Sequence, residues 1–474
     1  MTVRDPLAER ARATPARVAF VEGASGRKVS WREIQARAER WCAGEVPVGA
    51  GPDPSVAVGA DRGPAGGVPA LPAAVLADPD PLGAATTFLA ALAAGVTVVP
   101  VDPDATVPPR LPDVSPGAAV VLSSSGSTGR QKSVALTEAQ LLHTARAVVA
   151  HHRIGPDDRG YCPLPLFHVN ALVVGVLTTL VAGSRLVVDR RFSRRTFWAT
   201  VAAHDVTWVN AVPAILTVLA AEPPPDRAVA DRVRFVRSAS APLAAAVRRR
   251  FEARCGIGVL ETYGMTEAAS QITANPLAPA GRRPGSVGRP VGIELRIVDA
   301  DRRTLPAERV GEVEIRGPGV TPAGSDGWLS TADLGRLDGD GFLYLVGRVD
   351  DVINRGGEKV YPRRVEEVLL GDPRVAAAAV VARPHPVLGQ EPVAVVLLAA
   401  PPAGAGGRSE AAAPDHAAPD HTSVTADLED RCRSALSRFE RPASITVVAA
   451  LPAGPTGKVR RAELRRALVQ RSPS

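Results

Sequence analysis

The sequence predicts an α/β protein: a large N-terminal domain of layered sheets and helices, then a small α+β domain. Three observations predict this. Short apolar runs alternate with helical stretches through most of the first part of the chain, the pattern of a largely parallel sheet joined by crossover helices. From Gly311 to about Gly347 the alternation gives way to strands and tight turns. A further unit of helix and strands starts near Asp350. With 474 residues, 45% of them hydrophobic, the chain can bury more than one core, so domains are placed at 1–349 and 350–474.

Strands are expected, in order, at Thr97–Pro100, Ala118–Leu122, Arg185–Val188, Thr207–Asn210, Val233–Arg237, Val259–Leu260, Glu294–Val298 and Glu312–Arg316, each a short apolar or β-branched run. Thr137 reads as a helix N-cap, with Gln140 three residues on completing a capping box. Leu141, Leu142, Ala145, Val148 and Val149 give that helix its apolar stripe. A second helix is expected over Ala244–Cys255, with Val247 and Phe251 on one face. Asp338-Gly-Asp-Gly341 marks a hairpin. In the C-terminal unit a helix at Arg363–Leu370 precedes strands at Ala376–Val381, Val393–Leu398 and Ile445–Val448. Between the last two, Ala399–Ser423 is rich in Ala, Pro and Gly and is expected to be a flexible loop. Its repeated Ala-Pro-Asp-His, at 413–416 and 418–421, is taken as composition and not as a metal site.

Lys and Arg outnumber Asp and Glu by 56 to 49, but the arginines are scattered. Without a basic stripe interleaved with aromatics, nucleic-acid binding has no support, and a small anionic ligand suits the surplus better. Cys42, Cys162, Cys255 and Cys432 lie far apart, so buried thiols in a reducing compartment are expected, not a disulfide frame or zinc site. His143, His151 and His152 lack a matching set of carboxylates. No apolar signal core opens the chain. The longest apolar stretch, Ala171–Ala182, is broken by Gly175 and stops short of membrane-spanning length. A cytoplasmic protein with no membrane partner is expected.

The most informative stretch is Leu122-Ser-Ser-Ser-Gly-Ser-Thr-Gly-Arg-Gln-Lys132. An apolar run empties into hydroxyls and glycines closed by a lysine, which can turn N–H and O–H donors toward one polyphosphate. The G-x-x-x-x-G-K-[ST] pattern fails, because Gln131 stands where the second glycine belongs. Ser-Val-Ala-Leu follows Lys132, so the loop is expected to join two strands with no helix beneath the phosphates. Four more segments offer complementary chemistry. In Glu261-Thr-Tyr-Gly-Met-Thr-Glu267, Tyr263 offers a flat ring to a purine and Glu267 a carboxylate for Mg²⁺ beside phosphates. Asp333 could accept both ribose hydroxyls and Arg348 donate to the same sugar. Lys458 sits on a Pro/Gly-rich loop, which suits a cation that must enter and leave a site.

These motifs, in this order, identify a resemblance to the adenylate-forming acyl-CoA synthetase superfamily, covering nearly everything from Ala119 onward. The resemblance also takes in Pro165-Leu-Phe-His-Val-Asn170, Pro284-Gly-Ser-Val-Gly-Arg-Pro290, Gly327-Trp-Leu-Ser-Thr-Ala-Asp333 and Pro455-Thr-Gly-Lys458. The run Gly347–Pro362 is most similar to ligases of the oxalyl-CoA and chlorobenzoate–CoA types. The resemblance implies a β-barrel-like subdomain within the N-terminal part, a mobile C-terminal lid, and ATP, Mg²⁺ and coenzyme A as cofactors. A small carboxylate would attack the α-phosphorus of ATP, and the acyl-adenylate would then meet a thiol. By resemblance Ser124, Ser125, Gly126, Ser127, Thr128, Gly129 and Lys132 hold the triphosphate, and Thr128 and Glu267 the metal. Ser240, Glu261, Thr262, Tyr263, Gly264, Met265, Thr266, Asp333 and Arg348 bind the adenosine part. Lys458 bridges carboxylate and α-phosphate, with Glu267 and His168 as the other catalytic residues. Asp350 matches the hinge; Gly356, Gly357, Phe439 and Arg441 match positions that meet coenzyme A. His168, Asn170, Asn210, Val212, Ser238 and Ser270 are the acyl-pocket candidates.

The chain departs from the pattern in three places. The stretch 45–118 is short and rich in Ala, Pro and Gly, so the first subdomain is expected to be trimmed there. Ser270 stands where oxalyl-type ligases carry a histidine, which argues against oxalate itself. Ser133 replaces a common glycine. Two other functions stay open: an adenylating enzyme that serves a carrier-protein thiol or an amine, and a non-catalytic nucleotide-binding homologue. A homodimer also stays open.

Overall fold

A nine-stranded sheet forms the centre of the N-terminal part. Its order in space is Arg289–Pro290, Ser270–Ala274, Val259–Met265, Phe235–Ser238, Trp208–Ala211, Arg159–Cys162, Arg185–Val188, Val18–Glu22 and Lys28–Ser30. From Val259–Met265 to Val18–Glu22 all neighbours run parallel, and the pairs beyond them are antiparallel. Every residue of the Trp208–Ala211 and Phe235–Ser238 strands is buried, as expected of parallel strands covered on both faces. The structure is a computed structural model that describes residues 2–43, 45, 56–59, 73–105, 116–125, 131–399, 421–452 and 459–470.

A five-stranded sheet lies beside it, ordered Val56–Gly59, Ala73–Leu76, Thr97–Pro100, Val120–Ser125 and Gln131–Leu136. Helix Pro81–Ala93 packs against strands of both sheets. Apolar nearly all round, it is buried on almost every position, as such a helix must be. Asp80 caps it by accepting from Leu82 N at 3.2 Å, with Pro81 in the first turn. One continuous apolar core includes Phe20, Trp31, Phe88, Leu172 and Phe251. The capping box at Thr137 is formed, and its helix runs Glu138–His152.

Strands Glu294–Val298, Gly311–Arg316, Leu329–Leu337 and Leu343–Arg348 form an antiparallel meander over a separate apolar cluster with Ile272, Val313 and Leu343. The expected hairpin closes it: Asp338 Oδ1 accepts from Asp340 N at 3.0 Å and Phe342 N at 2.9 Å. Beyond Asp350 a third unit has its own core, with Val365, Leu369, Val396 and Leu428. Its sheet pairs Val375–His385 with Gly389–Leu398, and Ile445–Val448 runs parallel to the latter.

Several expectations need correction. The Val120–Ser125 strand starts later and runs further than Ala118–Leu122, because it pairs with Gln131–Leu136 as far as Ser125↔Gln131. Ser124, Ser125 and Lys132 are therefore strand residues. The strand at Val259 does not stop at Leu260; it continues to Met265, held by Ser270–Ala274 across an antiparallel hairpin. The helix His421–Ala435 takes 421–423 from the expected loop. Cys162, Cys255 and Cys432 are buried, but Cys42 is exposed, since it ends helix Trp31–Cys42 outside the face that buries Trp31, Ile34 and Ala38.

Candidate active site

Tyr263, Asp333 and Arg348 come together from three separate segments. Tyr263 donates its hydroxyl to Asp333 Oδ2 at 2.5 Å, and Arg348 Nη1 donates to Asp333 Oδ1 at 3.1 Å. Asp333 and Arg348 face each other across neighbouring antiparallel strands. Their aim depends on an irregularity: Glu312 pairs with Leu334 but Glu314 with Ser330, and Ala332 between them takes a left-handed φ of 57°. Such a bulge turns a side chain out of the pleat. Here it leaves Asp333 N bonded to Thr331 Oγ1 at 3.1 Å and its carboxylate toward Tyr263. Burial first, and then the adjacent carboxylate, push the Tyr263 hydroxyl well above its ordinary range, so it stays a donor.

The strand that carries Tyr263 is constrained at Gly264. A Cβ there would lie 1.5 Å from the Ser270 carbonyl oxygen, so the two hairpin strands can approach only over a glycine. Ser270 itself has a φ of 102°, and Ala269 one of 47°. Thr262 donates to Ser238 O at 3.2 Å, tying this strand to its neighbour. Thr266–Ala268 forms a single 3₁₀ turn after Met265, and Thr321 N donates to the Glu267 carbonyl at 2.7 Å. Glu261 faces elsewhere: its carboxylate lies 3.3 Å from Arg248 Nε, with Arg363 of the C-terminal unit also acting on it. Burial outweighs these cations and pushes Glu261 up to about 7.

The strands on either side of the Ser/Gly/Thr stretch, Val120–Ser125 and Gln131–Leu136, pair antiparallel with Ser124 opposite Lys132. Gly126, Ser127, Thr128 and Gly129 lie outside the described residues, as does Lys458. Pro452 and Val459 flank the stretch that includes Lys458, and Arg460 N donates to Pro452 O at 2.7 Å.

The acyl-pocket candidates Asn170 and Asn210 meet at a residue that sequence reasoning did not select, Arg237, and Asn170 also reaches Ser240 of the adenosine set. The Arg237 guanidinium, 1% exposed, donates to Asn170 Oδ1 at 2.8 Å, Asn210 Oδ1 at 3.0 Å and Gln271 Oε1 at 3.3 Å. Asn170 Nδ2 donates to Ser240 Oγ at 3.5 Å, and Ser240, with a φ of 72°, is exposed. Val212, Ser238 and Ser270 are buried. His168 is half-buried beside Phe167, and its Nε2 has no partner among the described residues. Burial lowers it to about 4 against the opposing pull of Asp102, so the ring is neutral at pH 7.

Two family models match: the AMP-binding enzyme model over residues 108–323 and the AMP-binding enzyme C-terminal domain model over 364–458. A sulfoacetate–CoA ligase from Cupriavidus necator is 41% identical over 370 residues, 76% of this chain and 68% of that one. The chain belongs to the AMP-binding enzyme family. An oxalate–CoA ligase from Arabidopsis thaliana is 36% identical, over 72% of this chain and 66% of that one. The alignments thus span about two thirds of the length of these relatives. The crystal structure of ATP-bound MatB from Rhodopseudomonas palustris superposes with a TM-score of 0.80 at 25% identity, covering 99% of each chain.

In this AMP-binding enzyme, Asp350 lies in the short turn Val349–Asp351 between the meander and the C-terminal unit. It borders a cavity of about 30 Å³, with Asp351, Gln390, Arg461 and Arg465 among the other walls. Gly356 and Gly357 form the exposed turn of the Ile353–Val360 hairpin, with φ of 61° and 95°. Among the described residues, nothing beyond its chain neighbours lies within 4 Å of a Cβ built on Gly357. Arg355 ties this hairpin to Phe439 O at 3.0 Å and Arg441 O at 3.1 Å, so the four coenzyme A candidates share one region. The Arg441 side chain is already engaged there, donating to Leu436 O at 3.2 Å and Arg433 O at 2.9 Å near the end of helix His421–Ala435. Phe439 packs on the C-terminal core.

Arg237 and Gln271 are the residues that sequence reasoning missed. Arg237 carried a weak signal: it is one of two cations, with Arg234, in the expected strand Val233–Arg237, and a charge in a strand covered on both faces needs a reason. Gln271 carried none, because its strand was not foreseen.

Proposed function

We propose that the chain activates a small carboxylic acid with ATP, forming an acyl-adenylate and pyrophosphate, and then transfers the acyl group to the thiol of coenzyme A. The observation that carries this reading is the Tyr263–Asp333–Arg348 cluster. A ring, an acceptor and a cation from distant segments form one hydrogen-bonded unit, which suits a purine nucleoside. Asp333 would accept the ribose hydroxyls and Arg348 would hold it in place. Ser125, Thr128 and Lys132 would hold the triphosphate, and Thr128 and Glu267 the Mg²⁺. No cluster of three or more His, Cys, Asp or Glu that could cage a metal occurs among the described residues, and a single carboxylate suits Mg²⁺ when phosphate oxygens and water complete its shell.

Lys458 would meet both the attacking carboxylate and the α-phosphate. One well-placed donor in such a role is typically worth ~3–4 kcal/mol. Neutral His168 would control the path between acyl group and thiol. Asp350 would then serve as the pivot that withdraws Lys458 and brings Gly356 and Gly357 in, where a thin pantetheine arm can pass close to backbone. That both relatives above are named as CoA ligases supports free coenzyme A over a carrier protein or an amine.

Pyrophosphate release over a panel of short dicarboxylic, sulfonated, aromatic and short-chain acids tests the first step. AMP formation with coenzyme A, compared with a phosphopantetheinylated carrier, tests the second. Background pyrophosphate release with every acid would remove the reading.

A further inference from the structure

Arg237 is a buried cation without an anion. It lies on the Phe235–Ser238 strand, in the interior of the nine-stranded sheet, and its partners are neutral amide oxygens of Asn170, Asn210 and Gln271. Among the described residues no carboxylate bonds to it. Taking a guanidinium out of water is costly unless an opposite charge offsets it, and three neutral acceptors do so only in part. Burial with no neighbouring carboxylate lowers Arg237 to about 9.

The surroundings are also rich in unused donors. Arg237 Nε, Gln271 Nε2 and Ser238 Oγ are buried and have no hydrogen-bond partner among the described residues. A guanidinium offers five N–H donors in a planar fork that matches a carboxylate or a sulfonate. What the cluster lacks is acceptors and negative charge. The cluster lies two hydrogen bonds from the surface: exposed Ser240 bonds to Asn170, and Asn170 bonds to Arg237.

We propose that Arg237 receives a second anionic group on the acid substrate, so that the enzyme selects short acids bearing a carboxylate or sulfonate besides the reacting carboxyl. This rests on the acid-activating reading above. The bound tail would supply the missing charge and the acceptors for Arg237 Nε and its unpartnered neighbours. A neutral tail of the same length would leave the guanidinium desolvated and unpaired, which disfavours it.

The test uses the full chain and matched acids: malonate, succinate and sulfoacetate against propionate and butyrate. Direct binding is followed by calorimetry, and pyrophosphate release in the presence of ATP and Mg²⁺ is measured separately. The expected result is tighter binding of the dianionic acids, on the order of 100-fold. Arg237→Gln should remove that preference while leaving butyrate binding within a few-fold of its starting value. Charge-selective binding without pyrophosphate release would support the Arg237 role and count against adenylation. Wild-type protein that takes neutral-tailed acids as tightly as dianionic ones, or takes neither, overturns the proposal, whether or not the variant folds. Parallel loss of both acid classes in a folded Arg237→Gln protein also overturns it and leaves Arg237 a structural cation.

Discussion

Tyr263 and Asp333, 70 positions apart in the chain, share a hydrogen bond of 2.5 Å that joins the end of the central sheet to the antiparallel meander. The bond sets the orientation of the ring and holds one carboxylate oxygen, while Arg348 holds the other. The ring and both carboxylate oxygens are therefore positioned by the protein's own hydrogen bonds, and such positioning lowers the ordering cost of binding.

Asp333→Ala should consequently raise the KM for ATP by about 10- to 100-fold, since hydrogen bonds to a charged group are worth about 1.5–3 kcal/mol. The KM for the acid should change far less. Initial rates of pyrophosphate release with ATP varied at saturating acid measure this. An unchanged KM for ATP would detach Asp333 from the nucleotide.

Lys458→Ala should depress adenylate formation by about 100- to 1,000-fold, yet spare thioester formation from supplied acyl-adenylate. Asp350→Pro should do the reverse, because a locked φ at the turn hinders the swing without touching the first reaction. Assaying the two half-reactions apart separates these roles. Equal losses in both steps for either variant would contradict its assignment.

Gly264→Ala places a methyl carbon 1.5 Å from the Ser270 carbonyl oxygen, and backbone cannot yield as a flexible side chain can. Overpacking of this kind costs about 1–3 kcal/mol or more. The variant should melt well below the parent and lose nucleotide-dependent thermal protection. A melting temperature within one or two degrees of the parent's would show that the hairpin tolerates a wider gap.

Glu261 supplies a pH dependence. Its folded value of about 7 lies above the 4.5 of an ordinary glutamate, so between these limits the folded chain keeps a proton that the unfolded chain releases. The stability this contributes is complete below pH 4.5 and is lost as pH rises toward 7. Glu261→Gln should therefore gain on the parent across that window, by on the order of 2–3 kcal/mol at neutral pH. Urea midpoints of both proteins at pH 5 and pH 7.5 report it. A constant difference between the two would mean that Arg248 and Arg363 neutralise the charge outright.

Much of the site could be read along the chain because motif residues recur at fixed local spacing. The strand–Ser/Gly/Thr–strand arrangement around Lys132 followed from an apolar run, a cluster of turn-forming residues and a second short β-branched run. The capping box at Thr137 was legible for the same local reason. The Asp338–Gly341 turn was too, since its chemistry sits within four residues.

What the sequence by itself determined were the local elements and the identities of the groups that would act. The tertiary structure alone decided which of them meet. The Val259–Met265 strand outran its apolar signal because Ser270–Ala274 offered it hydrogen bonds, a partner that no local pattern announced. The bulge at Ala332 turned Asp333 toward Tyr263. Arg237 stood out along the chain only as a charge in a short strand run, and it was strand pairing that buried it among amides with no carboxylate bonded to it among the described residues. Periodicity reports which face a residue occupies, but burial and charge balance depend on what packs against that face from far along the chain.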